Sequence, residues 1–167
     1  MKHFAKRLLV ITLFSTSTTI ALGQDATQPK QIEPITVQSK GIILIIPKSR
    51  AKLLAYSALT NTWSETKILI EESSIPHVKI NPVVSNSLAA CKFGQEVHAY
   101  SAKSALWAKL KLPHASKSHL TIGDNLVIVY VEEKQISKLY IFGEHSKAWS
   151  GVDLTTGEIL LNPQQKK

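Results

Sequence analysis

The sequence predicts an all-β protein: three four-stranded antiparallel meanders that follow a short export signal. Three observations carry this expectation. One aromatic motif recurs three times, with its tryptophans 44 and 42 residues apart. Apolar runs of strand length alternate with turn-forming stretches. No window after the first segment sustains a helical period. The composition is compatible, because 167 residues with 44% hydrophobic side chains suffice for one domain with a core and are too apolar for a disordered chain. A single cysteine, Cys91, excludes a disulfide scaffold.

Residues 1–23 read as a secretory signal peptide. Lys2, Lys6 and Arg7 form a positive start, Leu8 to Phe14 begin an apolar stretch, and Ala21-Leu22-Gly23 supply small residues for cleavage near Gln24. The apolar run is much shorter than the ~20 residues a membrane-spanning helix needs. No stable membrane insertion is therefore expected, and the mature protein should be exported, to a periplasm or the outside. Cleavage removes three cations and no acid, lowering the net charge from +8 to +5. The remaining Lys and Arg are scattered rather than clustered on one face, so nucleic acid is not an expected partner.

The repeat is carried by YSALTNTW, YSAKSALW and FGEHSKAW. Trp63, Trp107 and Trp149 each follow an aromatic residue by seven positions, namely Tyr56, Tyr100 and Phe142. A hydroxyl lies four residues after each of those: Thr60, Ser104 and Ser146. All three tryptophans of the protein thus occupy one motif position.

The strands follow in order. ITVQS and GIILIIP open the first unit, PVVSN and SLAACKF the second, HLTIG and NLVIVYV the third. The third strand of each unit ends on the aromatic and is apolar on both alternating faces (Leu53-Leu54-Ala55, Val97-His98-Ala99, Leu139-Tyr140-Ile141), which argues for cover on both sides. The fourth begins at the tryptophan and alternates. Thr66 and Ile68, Leu110 and Leu112, Val152 and Leu154 fall on one face; Glu65, Lys67, Lys109 and Lys111 fall on the other. Charges there suit an outer strand whose edge must not recruit another chain. The units span about 35–70, 82–113 and 119–155, with a last strand at 156–161.

Sheets that need cover on both faces find it by stacking against one another. The Tyr, short polar turn and Trp of YSALTNTW resemble the third and fourth strands of Kelch-type β-propeller blades, without that family's paired glycines. The resemblance covers the later half of each unit. It implies that Tyr56, Tyr100, Phe142 and the tryptophans are packing residues. Three blades do not close a ring, so the sequence also predicts a homodimer that completes six. GIILIIP and NLVIVYV belong to the two end units, and a charge at Ile45 or Val129 is expected to break such a ring.

Catalytic patterns are thin. Ser64-Glu65-Thr66-Lys67 spells S-x-x-K, but on a strand two residues three apart point to opposite faces. His114 and His119 flank a loop and lack a third ligand in the pattern, so neither a metal nor another cofactor is expected. His98 shares a position with Leu54 and Tyr140, which predicts a packed, hydrogen-bonded histidine. The function expected is therefore that of a non-enzymatic binding or scaffold module. The alternative is a carbohydrate-binding module, with Trp63, Trp107 and Trp149 stacking on sugars from the charged side of the outer strand. An enzyme with a loop-borne site ranks third.

Overall fold

The computed structural model of the chain describes residues 32–68, 80–114 and 116–160. The expected signal segment, its cleavage site and Leu161 of the last expected strand lie outside the described residues. Within them there is no helix, and three antiparallel sheets follow one another along the chain. The first comprises β1 (Ile35–Gln38), β2 (Ile42–Ile46), β3 (Lys52–Ser57) and β4 (Thr62–Lys67). The second comprises β5 (Asn81–Val84), β6 (Leu88–Phe93), β7 (Glu96–Ser101) and β8 (Leu106–Lys111). The third comprises β9 (Lys117–Ile122), β10 (Leu126–Glu133), β11 (Ile136–Gly143), β12 (Ser150–Asp153) and β13 (Ile159–Leu160). Each is a meander in which every strand pairs with the next along the chain. The third sheet has a fifth strand: β13, inside the stretch 156–161 expected as a last strand, folds back and pairs with β12 through Val152 opposite Ile159.

Backbone hydrogen bonds show how faithfully the unit repeats. Ser39, Ser85 and Gly123 each donate from their amide to the carbonyl three residues on, at Ile42, Leu88 and Leu126. Ala58, Ala102 and Glu144 donate back to Gly41, Ser87 and Asn125. Ile68, Leu112 and Leu154 donate to Ala51, Gln95 and Ser137. These matched closures align the three sheets residue for residue. The turn before the tryptophan repeats only twice. Asn61 and Ala105 both adopt left-handed backbone (φ 54° and 55°), which Asn tolerates better than Ala. In the third unit the Ser146 hydroxyl accepts from the Gly143 amide instead.

The second sheet sits between the other two and is covered on both faces. Its Ala89, Cys91, Phe93 and Tyr100 pack against Ile42, Leu44, Ile46, Leu53 and Ala55 of the first sheet. Its Leu88, Ala90, Val97, Ala99 and Leu110 pack against Val127, Val129, Tyr140, Phe142 and Trp149 of the third. This explains β6, whose Leu88-Ala89-Ala90-Cys91 are all buried. A central strand flanked by bulky Ile, Leu and Val on both sides needs small side chains to keep interior packing density. The first and second sheets come close at Gly41, where a Cβ would lie 2.2 Å from the Asn86 carbonyl oxygen. Val129, expected on a free end face, is instead buried against the second sheet, and Ile128 and Tyr130 of the same strand point outward. The alternation of β10 decides this.

Candidate functional site

The tryptophans of the repeated aromatic pairs are packing residues in the main expectation and ligand-stacking residues only in the carbohydrate-binding alternative. In all three sheets the pair faces the same way, with ring centroids 5.2 Å apart for Tyr56 and Trp63, 5.1 Å for Tyr100 and Trp107, and 5.6 Å for Phe142 and Trp149. Interplanar angles of 49°, 44° and 44° make all three the same tilted arrangement. In the first two sheets the pair members face each other directly across the ladder.

Burial separates them. Trp149 is 2% exposed and its indole N–H donates to the Ala108 carbonyl of the second sheet at 3.4 Å. Trp107 is half-buried against the first sheet. Trp63 is 58% exposed, since no sheet among the described residues precedes the first. Of the three tryptophans that the carbohydrate-binding alternative would stack on a sugar, Trp63 is the most exposed, at 58%. Beside it the Tyr56 hydroxyl donates to Asn61 Oδ1 at 2.6 Å, and Lys52 pairs with Glu65 at 2.7 Å. That lysine, by hydrogen bond and charge, holds the Glu65 carboxyl below its ordinary range. The alternation of β4 places Glu65 on the Trp63 side and Thr66 on the buried side.

A second polar cluster lies where the first and second sheets meet. His98 is fully buried on β7, with Nε2 3.2 Å from Glu96 Oε2 and Nδ1 3.5 Å from Thr66 Oγ1 of the first sheet. The edge of its ring meets Phe93 at 5.9 Å. Burial above all, helped by the Lys109 charge, lowers its pKa to about 4 against the pull of Glu96, so the imidazole is neutral near pH 7. Lys109 itself donates to the Lys67 carbonyl at 2.8 Å. The expectation of a packed, hydrogen-bonded His98 therefore agrees with its surroundings. Beside the cluster an open groove of about 620 Å³ is lined by Glu96, Lys109, Lys111 and His114. A smaller cleft of about 340 Å³ is lined by Asn81, Lys92, Ser118 and His119. His114 and His119 thus line different depressions. Among the described residues no group of three or more His, Cys, Asp or Glu is placed to hold a metal ion. Ser64 is half-buried and Lys67 exposed, on opposite faces of β4. Cys91 is buried, and burial pushes its thiol well above the ordinary range, as suits a core residue.

Side-chain clasps between sheets escaped the sequence reading. The Ser57 hydroxyl donates to the Ala102 carbonyl at 2.8 Å, and Ser101 donates to the Glu144 carbonyl. At the other end of the strands Ser39 donates to the Ser85 carbonyl, and Ser85 and Ser87 donate to the Asp124 carbonyl at 3.4 and 3.0 Å. Each sheet thus fastens the next through serines at repeated positions. In the third sheet both positions, 123 and 143, hold glycine. The signal was present as a Ser, Ser, Gly column after each aromatic, legible only once a neighbour for the serine is known.

Comparison with models of protein families and with curated proteins finds no match for this sequence. Among solved structures, Hsv2 of Kluyveromyces lactis is similar, with a TM-score of 0.37 and 9% identity over 68% of this chain. The chain spans 42% of that structure's length.

Proposed function

We propose that the protein is an exported, non-enzymatic binding or scaffold module whose sheets stack as propeller blades do, as the Kelch-like aromatic pairs suggest. The observation that carries the reading is the second sheet, covered on both faces by the same repeated contacts. Those contacts commit Tyr100, Trp107, Phe142 and Trp149 to packing, and among the described residues the turns at the strand ends and the outer faces of the two end sheets remain accessible. Partner recognition then falls to turns such as 58–61 and 102–105, which carry Leu59, Asn61 and Lys103 to the surface.

A carbohydrate reading keeps one specific support, the solvent-facing Tyr56–Trp63 pair with Lys52, Glu65 and Asn61 around it. A glycan array probed with the full chain and with Trp63→Ala separates the readings. Binding that disappears in Trp63→Ala replaces the protein-binding reading with the carbohydrate one. An array without binding supports the protein-binding module.

A further inference from the structure

Among the described residues the two end sheets each leave one face open, and these faces are the two halves of a junction already made twice. At the first junction the Tyr100–Trp107 face of the second sheet lies on the Leu53–Ala55 face of the first. At the second junction the Phe142–Trp149 face of the third sheet lies on the Val97–Ala99 face of the second. The first sheet's open face is the matching aromatic one: Ile43, Ile45, Leu54, Tyr56 and Trp63. The third sheet's open face is the matching receiver: Ile128, Tyr130, Leu139, Ile141 and Val152, placed there by their register on β10, β11 and β12.

Two facts show that these faces are prepared for cover. The Tyr56–Trp63 pair holds the ring geometry of the buried pairs although no sheet among the described residues covers it. Large exposed apolar side chains concentrate on the open faces, with Trp63 at 58% on one and Ile159 at 73% on the other, beside Leu126 and Leu154.

We infer that the open aromatic face of the first sheet is a docking site for the open face of the third sheet of a second copy. Two copies related by a two-fold axis satisfy both open faces of each chain at two equivalent junctions, giving a ring of six sheets. These junctions lack the clasps, because glycines 123 and 143 stand where Ser39, Ser85, Ser57 and Ser101 stand in the other sheets. They are accordingly weaker than the junctions within the chain, and the assembly is concentration-dependent. The inference rests on the blade-like stacking proposed above and not on any ligand of the turns.

Repeat alignment brings Ala58 of one copy beside Gly143 of the other, as Ala102 lies beside Ser57. Ala58→Cys and Gly143→Cys are made separately in the full chain, with buried Cys91 retained, and oxidised mildly alone and as an equimolar mixture. A disulfide-linked dimer formed in the mixture and in neither variant alone is the expected result. Crosslinking of Ala58→Cys with itself would show two first sheets face to face and overturn the inference. Crosslinking of Gly143→Cys with itself would overturn it likewise. In parallel, light scattering of the wild-type chain at micromolar concentration should report a dimer. Ile43→Glu, which places a charge in the junction, should raise its dissociation constant about 100-fold or more while leaving a β-sheet circular dichroism spectrum. A folded wild-type monomer across that range overturns the inference and leaves the Tyr56–Trp63 face to another occupant such as a glycan. The turn-based binding reading survives that outcome, since the glycan array judges it separately.

Discussion

The junction between the first and second sheets and that between the second and third use the same repeated positions and differ in chemistry. In the second junction the third-sheet side is Val127, Val129, Val131, Tyr140, Phe142 and Trp149. Tyr140 lies over Gly151, where a Cβ would come within 2.8 Å of its ring. In the first junction the equivalent positions hold Ala89, Cys91, Phe93 and His98. His98 reaches Thr66 and Glu96, and buried Arg50 donates nearby to the carbonyls of Ile46 and Glu33. The core of the second junction is apolar, with its serine clasps and the Lys103–Glu144 pair at the rim. The core of the first junction contains a titratable histidine, which makes it the half whose stability responds to pH between 6.5 and 4.

The largest expected effect tests whether both junctions are load-sharing cores. Tyr100→Ala and Phe142→Ala each remove a fully buried ring and should destabilise by roughly 3–5 kcal/mol in denaturant titrations. Tyr56→Ala, at the same repeat position on an open face, should cost less than about a third of that in dilute, monomeric protein. Equal losses at all three positions would erase the distinction between covered and open faces.

Next in size is the pH response of the first junction. His98 is held neutral, with its pKa lowered from 6.5 to about 4, so the unfolded chain binds a proton in that interval and the folded chain does not. Its contribution is fully present above pH 6.5 and is lost as pH falls toward 4, on the order of 2–3 kcal/mol. His98→Leu should flatten stability between pH 6.5 and 5, where carboxylates contribute little. An unchanged slope in that variant would place the titration elsewhere. Smaller still are the clasps. Ser57→Ala and Ser101→Ala each remove a donor to a carbonyl of the next sheet and should cost about 1–2 kcal/mol. The same loss is not expected from Ser64→Ala, which fastens no neighbouring sheet. Last comes the exposed Lys52–Glu65 pair, whose removal should leave the unfolding midpoint of the monomer unmoved.

The strands, the repeat and the face alternation of β4 were legible because period-two patterning and a threefold motif both act locally. Trp63, Trp107 and Trp149 are indistinguishable at that level. Their exposures differ because one sheet has no predecessor among the described residues and the others do, a property of stacking order and not of the motif. Val129 shows the same gap: its strand was recognised, but which of two apolar faces turns inward depends on the neighbour. The clasps were invisible for a related reason, since a serine in a strand reveals its acceptor only when the next sheet is in place. His98 was readable as packed, from its apolar column. Its partners Thr66 and Glu96 were not, because Thr66 belongs to another sheet.

The central claim is that stacking position, not the motif, decides the environment of each repeated aromatic. Acrylamide quenching of tryptophan fluorescence measures it most directly, on the wild-type chain and on Trp63→Phe and Trp149→Phe, all at nanomolar concentration. Trp63→Phe should remove the readily quenched, red-shifted component and leave blue-shifted, protected emission. Trp149→Phe should leave the quenched component intact. A wild-type-like quenched fraction in Trp63→Phe, or its loss in Trp149→Phe, would contradict the stacked order of the three sheets.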